Sequence, residues 1–176
     1  MEVKKTIMKH SMTYGAILGV LLVILSVVTY MMGVNPRESV VTMIVTYGAM
    51  IAIMIYGTNA YKNNEGEGFI SFGHAFKVGF SIIFFSALIQ AFYIYIFAGF
   101  IDPEFITVML EQAEAGMLES QPNMSDEQIE VAMNMTAKMM TPGMIATWTI
   151  LGQAVVGAII SLITGAFLKK DNPAAI

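Results

Sequence analysis

Apolar residues fall into four long runs separated by short polar breaks. The first is Tyr14 to Met32, with no charge. The second, Val40 to Tyr61, is also uncharged. The third, Val78 to Phe100, is broken only by Ser81, Ser86 and Gln90. The fourth, Gly143 to Leu168, is closed by Lys169-Lys170. At about 1.5 Å per helical residue, each run is long enough to cross a hydrocarbon core of about 30 Å. One charge at mid-span would cost about 2.5–3.5 kcal/mol on insertion scales, and none of the runs carries one. The pattern predicts an all-α polytopic membrane protein. Residues 1–176 are expected to form a single four-helix membrane domain, with spans at about 14–32, 40–61, 78–100 and 143–168.

A different pattern occupies residues 102–141. Its acids are Asp102, Glu104, Glu111, Glu114, Glu119, Asp126, Glu127 and Glu130, and Lys138 is its only base. Asp102-Pro103-Glu104 reads as a helix start, with a cap, a proline at the first helical position and an acid in the first turn. Phe105, Met109, Ala113 and Met117 then share one face. Gln121-Pro122-Asn123 interrupts the pattern, and Ser125 with Gln128 forms a capping-box signature for a second helix. Ile129, Ala132, Met133, Thr136 and Met140 line its less polar face. The expected result is an acidic helical hairpin between the third and fourth spans, lying over one end of the bundle. Asn35-Pro36-Arg37-Glu38 predicts a tight turn between the first two spans.

The stretch Tyr61–Phe80 joins the two pairs of spans. If residues 69–81 are helical, Ser71, His74, Lys77 and Ser81 share one face, and Phe69, Phe72, Phe76 and Phe80 another. This split predicts that residues 69–77 lie on the membrane surface, with aromatics in the headgroups, before the third span begins.

Composition agrees with the pattern. The chain is 56% hydrophobic and 12% charged, about half the charged fraction of an ordinary soluble domain. Cysteine is absent, so disulfides, thiolate metal sites and cysteine nucleophiles are excluded. A net charge of −4 gives no reason to expect nucleic acid. The basic stretch before the first run could belong to a signal peptide, but the run is too long and Met31-Met32-Gly33-Val34 offers no cleavage pattern, so a retained span is expected. Lys4, Lys5, Lys9, Lys62, Lys77, Lys169 and Lys170 fall on one side of a four-span topology; Arg37 and Lys138 fall on the other. The positive-inside rule then places both termini in the cytoplasm and the acidic hairpin outside.

Candidate chemistry is sparse. His10, His74, Lys77 and Ser71 could form a cytoplasmic site for an anion such as a lipid phosphate, with Lys77 as point charge and His74 as titratable donor. The plainer alternative is an interfacial anchor from which Lys77 snorkels. Ser11, Gly15 and Gly19, and again Gly157, Ser161 and Gly165, are spaced by four, and serve either packing within one subunit or oligomerisation. Sixteen methionines raise the question of copper, but with so few leucines methionine reads as core filler, and no metal or cofactor is expected. Gln90 and Gln153 could line a polar path or bond to a neighbouring helix. The spans hold none of the acids or bases that ion-coupled carriers usually display, and no catalytic set is evident, so an enzyme is not expected. His10…Gly15 and His74…Gly79, with Thr58…Tyr61 and Thr164…Phe167, are also compatible with a duplicated two-span unit.

Lys9-His-Ser-Met-Thr-Tyr-Gly-Ala-Ile-Leu-Gly19, Phe69-Ile-Ser-Phe-Gly-His-Ala-Phe-Lys-Val-Gly79, Asp102-Pro-Glu-Phe105 and Thr141-Pro-Gly143 together resemble the domain-of-unknown-function 4199 family. The resemblance covers nearly the whole chain and implies a small four-span protein of a bacterial inner membrane, mostly of Bacteroidota. It implies no activity and no functional residues. The expected role is a non-enzymatic accessory or scaffold subunit, or a homo-oligomer, in the lipid bilayer. The alternatives are a small oligomeric channel or carrier, and a lipid-handling enzyme using His74 and Lys77.

Overall fold

Charge-free apolar sequence favours helix in lipid, because every backbone donor and acceptor must be satisfied within the segment. The computed structural model describes residues 2–34 and 39–171, with side chains from residue 6 onward. It is all-α: α1 (Glu2–Met31), α2 (Val40–Asn64), α3 (Phe72–Ile96), α4 (Glu104–Ser120), α5 (Asp126–Met139) and α6 (Pro142–Leu168). A π-helical turn, Phe97–Ile101, extends α3. Among the described residues, four segments are long and apolar enough to span a membrane: Thr6–Met31, Val40–Asn64, Phe72–Ile101 and Pro142–Leu168. The turn expected at Asn35–Glu38 lies outside the described residues. Just after it, the Ser39 hydroxyl caps α2 by accepting from the Thr42 amide at 3.2 Å.

Helix boundaries differ from the apolar runs. α1 starts a dozen residues before Tyr14, and Ile7 and Ser11 are already buried. Hydropathy marks where lipid begins, whereas helix continues through good helix formers such as Glu2, Lys4 and Lys5. α3 likewise starts at Phe72 rather than Val78, and Phe69 and Ile70 lie outside it. Residues 69–77 are therefore not one amphipathic helical segment. Ile70 is buried and pairs with Lys170 in an isolated antiparallel bridge.

The described residues fall into two compact units: those up to Gln90 together with those from Ile150, and Ala91–Thr149. In the first, α3 is the central helix. Val78, Ile82, Ile83, Ser86 and Ala87 are fully buried. The Ser11–Gly15–Gly19 stripe of α1 packs on one side of it. The Ser11 hydroxyl donates to the Val78 carbonyl at 3.4 Å, and the Gln90 amide donates to the Gly19 carbonyl at 3.1 Å. A Cβ at Gly15 would sit 2.6 Å from Phe85 Cβ and 2.8 Å from the Ile82 carbonyl oxygen. The Gly157–Ser161–Gly165 stripe of α6 packs against α3 as well. A Cβ at Gly157 would meet Ile83 Cγ2 at 2.7 Å, and one at Gly79 would meet Ser161 Oγ at 3.1 Å. Ser161 Oγ also donates to Met54 Sδ of α2 at 3.3 Å. Both stripes thus serve packing within one chain, where small residues let backbones approach closely.

In the second unit, the Asp102 amide reaches back to the Phe97 carbonyl at 2.8 Å and closes the π turn. α4 begins at Glu104, with Pro103 in the cap position, one residue later than the sequence pattern suggests. The capping box of α5 forms as expected: the Gln128 amide donates to Ser125 Oγ at 3.4 Å, and the Ser125 amide to Gln128 Oε1 at 3.1 Å.

Candidate functional site

His10 sits on the apolar face of α1, half-buried against α2. Its Nε2 lies 2.7 Å from the Gly57 carbonyl oxygen. A carbonyl can only accept, so the proton belongs on Nε2. The ring lies 4.7 Å from that of Tyr14 and 5.3 Å from that of Tyr61. Tyr14 in turn meets Tyr56 at 5.9 Å. Glycine at position 57 makes this approach possible, since a Cβ there would lie 3.0 Å from Tyr14 Cγ. His10 is a clamp between α1 and α2.

Ser71, His74 and Lys77 are all exposed at the start of α3. Ser71 Oγ lies 2.9 Å from His74 Nδ1 and accepts from the His74 amide at 3.4 Å. The Ser71 carbonyl accepts from Ala75 at 2.9 Å. A hydroxyl beside an imidazole nitrogen can be a nucleophile and its base. Here the same hydroxyl caps the helix, and among the described residues no carboxylate orients the far side of the ring. Ser71 and His74 of the expected polar face touch, while Lys77 projects one turn further on. His10 and His74 have separate partners and share no environment.

The residues that organise this end of the first unit are others. Lys62 Nζ donates to the Leu168 carbonyl at 3.2 Å, and so holds the last turn of α6 from α2. Ile70 and Lys170 exchange amide–carbonyl bonds of 3.0 and 2.9 Å. Lys170 Nζ stands 5.2 Å above the Phe69 ring. The connecting loop reaches this position through Glu67 (φ +50°) and Gly68 (φ +84°). A Cβ at Gly66 would collide with the Phe69 carbonyl. Lysines at two helix ends hint at carbonyl capping, but nothing local in the sequence pairs Ile70 with a residue 100 positions away.

No group of three or more His, Cys, Asp or Glu residues able to hold a metal ion occurs among the described residues. What the geometry assembles is a mechanical joint, in which α2, the loop before α3 and the end of α6 are tied together.

Four spanning helices, with a polar joint at helix ends and small-residue seams inside, define a multi-pass membrane protein in contact with the lipid bilayer. The chain belongs to the family described as "Protein of unknown function (DUF4199)", whose profile matches residues 13–170. No curated protein and no solved structure matches it. The Phe69–Gly79 phrase that carries the resemblance holds the loop bridge (Ile70), the helix cap (Ser71) and the close α3–α6 contact (Gly79).

Proposed function

We propose that the chain is a non-enzymatic subunit of a membrane assembly, either an accessory or scaffold component or one protomer of a homo-oligomer. It resides in a bacterial inner membrane with both termini cytoplasmic and residues 102–141 outside. The observation that supports this reading best is the filled interior of the first unit. Leu18, Met54, Val78, Ile82 and Ile83 are fully buried. The Gln90 amide is engaged by Gly19, which argues against its lining a path. A channel would then need its pathway between copies of the chain.

Extraction in mild detergent followed by native mass measurement tests the proposal. A stable complex with a second protein, or a defined homo-oligomer without ion conductance in vesicles, is the expected outcome. A monomer throughout would overturn it, and a conducting ring would favour the channel.

A further inference from the structure

α4 and α5 flank an open groove of about 590 Å³ within the second unit. Its apolar lining, taken as the floor, is Leu110 and Leu118 from α4 and the ridge Ile129–Met133–Ala137 from α5. Its rim is acidic. Glu114 stands on the α4 side, and the parallel ridge of α5 reads Asp126, Glu130, Asn134, one residue per turn. Leu110 to Leu118 covers about 12 Å of helix axis, and Asp126 to Ala137 about 16 Å. Two to three turns of a helix fit that length, with apolar side chains at i, i+3 or i+4 and i+7 on the floor.

Charge selects among occupants. Residues 102–141 carry eight acids and one base, a net of −7 (1 − 8). A second copy of this groove would bring acid against acid, and anionic headgroups would be repelled in the same way. A helix with basic residues flanking its apolar stripe satisfies both floor and rim, since Asp126 and Glu130, four residues apart, match cations one turn apart. We propose that the α4–α5 groove docks a cationic amphipathic helix of a partner protein. This deepens the subunit reading and rests on it.

The probe is a fluorescent peptide of about four helical turns, with leucine and lysine at amphipathic spacing. It is titrated onto the full chain in nanodiscs of zwitterionic lipid. Empty nanodiscs and a leucine–glutamate peptide serve as controls. Saturable binding above the empty discs is expected, falling as salt screens the rim. Glu114→Gln, Asp126→Asn and Glu130→Gln combined should weaken it about tenfold. Ala137→Trp, which fills the floor and leaves every charge in place, should also weaken it. Amide protection of α4 and α5 confirms that each variant is folded. Equal binding by the combined variant, or of the leucine–glutamate peptide, overturns the proposal. So does a groove-dependent preference for anionic vesicles or for self-association, which would install a different occupant. If the native complex persists in the combined variant while the probe never binds, the groove fails and the subunit reading stands. If the chain is monomeric in native extracts while the probe binds as expected, the subunit reading fails and the groove stands.

Discussion

A methyl group on Gly15 would lie 2.6 Å from Phe85 Cβ and 2.8 Å from a backbone oxygen of α3, neither of which is the free end of a flexible side chain. Gly15→Ala should therefore destabilise the protein by about 1–3 kcal/mol, the usual range for overpacking. Gly48, also helical, has nothing within 4 Å of an added Cβ. Gly48→Ala should be neutral or stabilising by up to about 1 kcal/mol. Unfolding of the two variants in detergent checks the pair, and equal responses would contradict the seam. His10 makes a second residue-scale prediction. Its bond to the Gly57 carbonyl requires a proton on Nε2, and nitrogen NMR shifts should report a protonated Nε2. At Ser71 the helix cap predicts a loss of about 1 kcal/mol for Ser71→Ala. The accompanying change should be fraying of α3 at His74 and Ala75 in amide exchange. These residue roles are only partly legible in the sequence. The four-residue spacing of Ser11, Gly15 and Gly19 shows a seam, but not that α3 fills it, because the partner of a small residue is chosen by tertiary packing. His10 is visible as an unusual polar residue, yet its acceptor is a backbone carbonyl, which no side-chain pattern displays.

Among the elements, the four spans and the α4–α5 hairpin are readable because each carries its own signal: an uncharged run of sufficient length, or a capped amphipathic helix. The capping box at Ser125 and Gln128 forms as the spacing implies. The start of α3 is not readable. Aromatic and polar faces at helical spacing suggest that helix begins near Phe69, while the pairing of Ile70 with Lys170 holds the preceding backbone out of the helix. The closing bond is long-range, so local periodicity carries no trace of it. The joint predicts slow exchange at the Ile70 and Lys170 amides, each donating to the other's carbonyl at about 3 Å. Replacing Lys62 with Met should speed exchange at Lys169 and Lys170 by releasing the Leu168 carbonyl at the end of α6. Unchanged exchange would mean that Lys62 adds nothing to the joint.

At the scale of the molecule, orientation decides which partners each end can meet. The basic residues divide seven to two between the sides of a four-span chain (Lys4, Lys5, Lys9, Lys62, Lys77, Lys169, Lys170 against Arg37, Lys138). On the proposed topology, the joint of Lys62, Ile70 and Lys170 faces the cytoplasm and the acidic groove lies outside. The absence of native cysteine allows a direct measurement. Single cysteines are introduced at Ser120 and Asp171, both exposed, and intact spheroplasts are treated with a membrane-impermeant maleimide. The charge asymmetry predicts labelling at position 120 and none at position 171 until the membrane is opened. Labelling at 171 with protection at 120 would contradict it.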